Sequence, residues 1–253
     1  MEGYRGISGS TLKWIGIFTM FIDHVGAVLV WKILILTQNP EWRNIYWICR
    51  YIGRIAFPIF CFLLVEGFEH TRDRKKYLGR MCLFALISEI PFNLAIDGKW
   101  FSLGENSVMA TFVLGLLLLS ALHWLLEPIK GKGVSPSSFL RALLALAAIG
   151  ITLWLAELLN VDYGAVGILS IVLFYLYRNN RFRAALLGCG VLLLSFASAK
   201  GLHINYVELP ASLAILPIMF YDGTRGRQNK YFFYVFYPAH LLLLGLLAVY
   251  VLM

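Results

Sequence analysis

Nine apolar runs divide this chain, and each one meets or approaches the length needed to cross a lipid bilayer. A membrane-spanning helix needs roughly 20 apolar residues, because the hydrocarbon layer is about 30 Å thick. Only 14% of the residues are charged, whereas soluble domains carry about 25%. The sequence therefore predicts an all-α, polytopic helical membrane protein with about nine transmembrane helices (eight to ten), in a single domain over residues 1–253. The runs lie near 12–35, 44–67, 78–96, 108–126, 139–158, 163–178, 184–199, 206–221 and 231–252.

The basic residues are divided unequally between the connections on the two predicted sides of the membrane. With nine spans, 16 of the 22 Lys and Arg residues fall on the side of the N-terminus and four on the other side, while Arg50 and Arg54 lie within the second run. Lys and Arg concentrate in cytoplasmic loops. The N-terminus is therefore predicted to be cytoplasmic and the C-terminus extracytoplasmic.

The first run carries ionisable residues at its cytoplasmic end and near its middle. Lys13 and His24 are 11 residues apart, which puts them on nearly one helix face and about 16 Å apart along the axis. Charged or titratable groups at membrane depth are costly and usually functional. Asp23 points about 100° away from its neighbour His24, so it needs its own cation or donors.

Other runs add polar residues at comparable depth. Arg50 and Arg54 share a helix face, and Arg54 needs a counter-ion, for which Asp23 or a carboxylate from another helix is available. Pro58 removes a helical hydrogen bond and should kink the second run. His240 follows Pro238 and falls near the middle of the last run.

Four further polar residues are candidates for substrate contacts. Glu66 lies near the cytoplasmic end of the second run, and Glu89 and Asn93 share a face in the outer half of the third. Glu208 lies near the outer end of the eighth run. The alternative role of Glu66 is interfacial solvation, and the alternative role of Glu89 is helix capping.

Six segments that together span nearly the whole chain resemble the TraX family, which is named for a conjugative-pilus protein that N-acetylates pilin. The match predicts a multi-pass protein of the bacterial cytoplasmic membrane, a lipid bilayer around it, and a role in acetyl transfer. The segments are LKWIGIFTMFIDHVGAVL (12–29), GRIAFPIFCFLLVEGF (53–68), YLGRMCLFALISEIPFNLA (77–95), ENSVMATFVLGLLLL (105–119), DYGAVGILSIVLFYLYR (162–178) and YDGTRG with KYFFYVFYPAHLLLL (221–226, 230–244).

A wider similarity points to the same chemistry. Membrane acyltransferases of the sugar O-acetylase type carry a basic residue, ten residues and then a histidine in their first helix, and Lys13 and His24 fit that spacing. The resemblance implies that acetyl-CoA is the co-substrate and that His24 is the general base. Direct transfer and an acetyl-histidine intermediate both fit these residues. The second histidine, His240, or Arg54 would stabilise the oxyanion, and Asp23 would fix the local charge.

The resemblance also implies where the two substrates bind. The CoA phosphates would bind to the basic residues Lys13, Arg72, Lys75 and Arg225. The acceptor is a peptide amine or an envelope-glycan group, entering past Glu89, Asn93 and Glu208. Nothing in the sequence indicates a nucleic-acid partner, and the four cysteines lack CxxC spacing, so no metal is expected.

Two other functions fit the same residues. A proton-coupled transporter or flippase would use His24, His240 and the carboxylates as a relay, although the chain lacks the matched broken helices of an inverted-repeat transporter. A structural subunit of pilus assembly is the third possibility.

Overall fold

The chain forms a bundle of helices around a buried apolar core. The structure is a computed structural model, and it describes residues 6–102, 104–131, 135–197, 201–227 and 230–252. Arg5, Lys132 and Lys200, which the charge count includes, lie outside these ranges, as do residues 198–199 of the seventh predicted run. The α-helices are α1 (Gly9–His24), α2 (Trp31–Thr37), α3 (Pro40–Gly53), α4 (Ala56–His70), α5 (Arg74–Asp97), α6 (Val108–Leu126), α7 (Pro136–Leu158), α8 (Gly164–Leu176), α9 (Arg181–Gly190), α10 (Ile215–Met219) and α11 (Lys230–Tyr250).

The prediction of a helical membrane protein is confirmed, but the count of nine transmembrane helices is not. Six helical segments of the described chain are long and apolar enough to cross a bilayer. The sixth predicted run forms α8, whose 13 residues extend only about 20 Å. The six segments are Gly9–Thr37, Pro40–His70, Arg74–Asp97, Val108–Ile129, Pro136–Leu158 and Tyr231–Tyr250.

The seventh and eighth predicted runs are irregular instead of forming single helices. The seventh is α9, then a 3₁₀ turn, then strand β1 (Leu194–Ala197), which pairs antiparallel with β2 (Gly201–Ile204). The eighth is a 3₁₀ helix (Tyr206–Ala214) leading into α10. Pro210 and Pro217 each remove a backbone donor from this run, which disfavours one continuous α-helix over its length.

One end of the bundle collects the connections that the charge pattern predicts on a single side. The N-terminal segment pairs with residues 220–227: the Ile7 amide donates to the carbonyl of Phe220 over 2.8 Å, and the Ser10 hydroxyl donates to the carbonyl of Arg227. The Arg181 guanidinium donates to the carbonyl of Tyr221. These contacts join three connections.

Arg178 joins the remaining two connections to this end. Its guanidinium lies 2.6 Å from Glu127 and 3.3 Å from Glu69, so the loops after α4, α6 and α8 meet here. In the loop at 222–226, the hydroxyl and amide of Thr224 donate to Asp222 and hold its pKa below the ordinary value. We refer to this end of the bundle as the N-terminal end.

The opposite end holds the connections after α5 and α7. Asn106 exchanges backbone hydrogen bonds of 3.0 Å with Asn160 and Asp162. The Asn160 side chain donates to the carbonyl of Gly104. The tertiary contacts therefore separate the connections into two groups, as the alternation of the basic residues predicts.

Two interruptions of helical geometry lie beside the ionisable residues. A π-helix (Val25–Val30) follows His24 and continues into α2, and such segments frequently occur at functional sites. The break between α3 and α4 falls at Arg54 and Ile55. Pro58 explains it, because this residue has no N–H for the carbonyl of Arg54.

Glycines let the first two spans approach closely at this depth. A Cβ added at Gly53 would lie 2.2 Å from the Cβ of Asp23, and one at Gly26 would lie 2.4 Å from the Cβ of Cys49. Small residues at helix interfaces permit this kind of packing in membranes. On the other side, Gly245 of α11 packs against the backbone of Ala95 in α5, which positions the helix that carries His240.

We predict that Gly53→Ala destabilises the protein and displaces Asp23, because overpacking costs about 1–3 kcal/mol. Gly150→Ala is the matched control, since a Cβ there meets no atom within 4 Å. The melting temperature in detergent should fall for Gly53→Ala and stay at or above the wild-type value for Gly150→Ala. Equal melting temperatures for the two variants would contradict the close packing.

Candidate functional site

A polar cavity of about 340 Å³ lies between the first two spans and the loop after α7. Its wall combines aromatic and apolar side chains with several ionisable groups, which is the usual composition of a ligand site. We call it the outer cavity, because its loop residues belong to the end opposite the N-terminal end. Its polar wall residues include Asp23, His24, Arg50, Arg54, Glu105, Asp162 and Tyr163.

Two histidines from the first and last spans are hydrogen-bonded to each other at this cavity. Nδ1 of His24 lies 2.7 Å from Nε2 of His240, and Nδ1 of His240 lies 2.6 Å from the carbonyl oxygen of Phe236. A carbonyl only accepts, so Nδ1 of His240 donates to it. With both rings neutral, Nε2 of His240 then accepts from Nδ1 of His24.

The direction of these two bonds fixes the tautomer of His24. Nδ1 carries the ring proton, so Nε2 presents its lone pair. His24 lines the outer cavity, whereas His240 is 5% exposed and lies behind it. Within the described residues Nε2 of His24 has no hydrogen-bond partner. The pair therefore offers one oriented base to whatever enters the cavity.

Two ion pairs neutralise the arginines of the second span. Arg50 donates to Asp23 over 2.7 Å, and Nε of Arg54 lies 3.1 Å from Oε1 of Glu208. The side chains of both pairs are less than 20% exposed. Of the alternatives open for Arg54, the structure selects a carboxylate from another segment, and Asp23 pairs with the arginine one turn earlier.

Tyr163 is held rigidly at the cavity wall. Its ring is parallel to that of Phe57, with centroids 3.7 Å apart, and its hydroxyl accepts a hydrogen bond of 3.1 Å from Arg54. Its φ angle is 63°, a left-handed conformation that is unusual for an aromatic residue. Such strained positions cluster at functional sites.

A second cavity of about 720 Å³ opens toward the N-terminal end, and we call it the basic cavity. Nε of Arg80, which lines it, is buried and has no hydrogen-bond partner in the described structure. Lys13 also contacts the Phe233 ring, 5.1 Å from its centroid. The excess of cations suits an anionic ligand. The ionisable wall residues are Lys13, Glu66, His70, Arg72, Arg80 and Arg225.

The two cavities adjoin inside the bundle. Phe60, Met109 and Phe112 line both of them. Helix α1 runs without interruption from Lys13 in the basic cavity to His24 in the outer cavity, a rise of about 16 Å. An extended ligand bound in the basic cavity would therefore reach His24 by passing these three side chains.

The structure brings most of the predicted residues to these two cavities. His24, Asp23 and Arg54 line the outer cavity, and His240 orients His24. Lys13, Arg72 and Arg225 line the basic cavity. Glu66 also lines the basic cavity and lies 3.8 Å from His70, so it is far from the predicted acceptor path.

Four predicted contact residues lie outside the cavity walls. Lys75 is exposed on the first turn of α5 and does not line the basic cavity. Glu208 lies behind Arg54. Asn93 is 3% exposed in the core.

Glu89, the fourth, serves a helix end. Its carboxylate accepts from the amide and hydroxyl of Ser107, over 3.1 and 2.8 Å. Ser107 is the N-cap of α6 and makes no side-chain capping bond of its own. Glu89 therefore caps α6 from a neighbouring helix, which agrees with the capping alternative.

Several wall residues are not among the predicted site residues, and Arg50, Arg80 and Tyr163 are three of them. The sequence indicates Arg50 only as a residue on the same helix face as Arg54. It indicates Arg80 only as one of the basic residues near a helix end. Tyr163 carries no charge, so neither periodicity nor charge patterning marks it. Its position next to Gly164, in a turn between two apolar runs, was the available signal.

The fold and the two cavities define a multi-pass helical membrane protein with a buried polar site. The TraX protein family matches residues 8–248. The chain belongs to this family.

Two curated relatives match along nearly their whole length. The chain is 31% identical to the probable fimbrial assembly protein FimC, serogroup H1, of Dichelobacter nodosus, over 94% of each chain. It is 26% identical to protein TraX of Escherichia coli, over 94% of this chain and 86% of that one. No solved structure matches.

We predict that Asp23→Asn lowers the stability by about 3 kcal/mol, because it leaves Arg50 charged and poorly solvated. Asp73→Asn is the control: Asp73 forms an exposed pair with Lys76 over 3.4 Å, and such pairs contribute about 0–1 kcal/mol. Asparagine also retains the N-cap of α5. Denaturant titration of both variants in detergent gives the difference, and equal losses would show that the Asp23 pair is not buried in solution.

Proposed function

We propose that this protein is a membrane acetyltransferase that moves an acetyl group from acetyl-CoA to an amine or hydroxyl acceptor. The observation that carries the proposal is the position of His24. It is an oriented base in the outer cavity, which adjoins the cation-rich basic cavity. Membership in the TraX family and the likeness to a fimbrial assembly protein support a role in the cell envelope.

The N-terminal end would face the cytoplasm, in the bacterial cytoplasmic membrane. Sixteen basic residues belong to the connections predicted on that side, and cytoplasmic loops are enriched in Lys and Arg. Acetyl-CoA would then enter the basic cavity from the cytosol. The acceptor, a peptide N-terminus such as that of pilin or an envelope-glycan group, would enter the outer cavity.

His24 would act as the general base. Nε2 takes a proton from the attacking amine or hydroxyl, while the bond from Nδ1 to His240 stabilises the resulting imidazolium. His240 is then a positioning residue, because both of its ring nitrogens are already bonded. The pair Asp23–Arg50 keeps the local charge balanced and leaves His24 free of a carboxylate partner.

A proton-coupled transporter or flippase is the second candidate. The shared wall of Phe60, Met109 and Phe112 between two oppositely directed cavities would also suit alternating access. In that case His24 and His240 would pass protons and CoA would not bind. A measurement of CoA binding therefore distinguishes the two functions.

We expect the purified protein to bind acetyl-CoA, and Arg72→Ala and Arg225→Ala to weaken binding about tenfold or more, since a charge-assisted bond contributes about 1.5 kcal/mol or more. Lys75→Ala is the matched control, because Lys75 lies in the same basic loop region but outside the cavity. Calorimetry in detergent measures the affinities. Absence of binding would favour the transporter, and equal weakening by Lys75→Ala would show that only the overall charge matters.

We expect His24→Gln to lower kcat by about 10²–10⁴-fold, the usual contribution of general base catalysis, and to leave acetyl-CoA binding intact. The assay follows radiolabelled acetyl transfer to a peptide with a free N-terminal amine and, separately, to an envelope-glycan preparation. His123→Gln is the control, since His123 contacts Tyr175 away from both cavities. Full activity of His24→Gln would exclude His24 as the base.

A further inference from the structure

Acyl transfer places negative charge on the thioester carbonyl oxygen, and a donor aimed at that oxygen usually contributes most to catalysis. The sequence offers Arg54 and His240 for this role. His240 is used by His24 and the carbonyl of Phe236. Arg54 is used by Glu208 and the hydroxyl of Tyr163. His240 therefore has no ring nitrogen left for a substrate, whereas Arg54 lines the outer cavity and holds the Tyr163 hydroxyl in place.

Tyr163 is a neutral wall residue whose hydroxyl proton is available for donation. Its oxygen accepts from Arg54, so its own proton is not used in that bond. Within the described residues no acceptor receives this proton, and Tyr163 lines the same cavity as His24. A guanidinium that donates to a phenol oxygen polarises the O–H bond and makes it a stronger donor.

We propose that Tyr163 is the catalytic residue that stabilises the oxyanion, with Arg54 and Phe57 as its positioning residues. The proposal rests on the acetyltransferase function. Phe57 fixes the plane of the ring by stacking, and Arg54 fixes the hydroxyl.

The reaction balances with this assignment. Nε2 of His24 takes a proton from the acceptor, whose nitrogen or oxygen forms a bond to the carbonyl carbon. The carbonyl electron pair moves to oxygen, where the Tyr163 hydroxyl donates a hydrogen bond. The electron pair on oxygen then re-forms the carbonyl double bond, and the carbon–sulfur bond breaks. The CoA thiolate takes the proton held by His24. The products are the acetylated acceptor and free CoA.

The backbone around Tyr163 supports a fixed position. The segment just before Tyr163, whose φ is 63°, is anchored, because Asn106 pairs with Asn160 and Asp162 and the Thr111 hydroxyl donates to the carbonyl of Asp162. A preorganised donor needs no rearrangement when charge develops. The strained conformation is thus accounted for by a catalytic role.

The test is Tyr163→Phe, which keeps the stacked ring and removes only the hydroxyl. We expect kcat to fall about 10²–10³-fold, the effect of removing one oxyanion donor, with an unchanged KM for acetyl-CoA. Tyr175→Phe is the matched control, because Tyr175 is buried beside Arg178 and lies outside both cavities. Melting temperatures in detergent verify that both variants are folded.

The outcomes separate this proposal from the wider one. If the wild type transfers acetyl groups and Tyr163→Phe retains its kcat, the assignment of Tyr163 is wrong and the acetyltransferase function stands. If Tyr163→Phe raises KM and leaves kcat unchanged, Tyr163 binds substrate without stabilising the oxyanion, and the assignment is again wrong. If the wild type transfers to neither acceptor, both proposals are overturned.

Discussion

The ion pairs of the second span determine how the rest of the site is built. A charge at membrane depth must be neutralised by protein, because lipid offers neither water nor counter-ions. Arg50 takes Asp23 from the first span, and Arg54 takes Glu208 from a distant segment. These pairs tie the first two spans and the 206–214 segment together, and they place His24 beside a neutral network instead of a free carboxylate.

Local breaks in helical geometry make this arrangement possible. Pro58 interrupts the second span at Arg54, and the π-helix begins directly after His24. Gly26 and Gly53 then allow the two spans to approach closely enough for Asp23 to reach Arg50. The candidate site residues thus lie where regular α-helix stops, so their orientation is set by packing and not by helical periodicity alone.

The two cavities lie toward opposite ends of the bundle and differ in charge. Cations surround the cavity at the N-terminal end, and the oriented histidine belongs to the cavity beyond Phe60, Met109 and Phe112. An acetyltransferase that takes its donor and its acceptor from opposite faces would need this separation, because the thioester must reach the base while water is kept away from it.

The sequence alone determined the membrane class, the family, the grouping of connections and the spacing that puts Lys13 and His24 three helical turns apart. These follow from hydropathy, charge and spacing, which are properties of single segments. It misjudged the seventh and eighth runs, where prolines and a hairpin prevent regular helices, and it assigned Lys75 and Glu89 to substrates. Only the tertiary structure decided that His240 bonds to His24, that Arg54 pairs with Glu208, and that Tyr163 faces the cavity. The partners in these arrangements, including Arg54 for Tyr163, lie more than 100 positions apart in the chain. No local pattern encodes such a pairing.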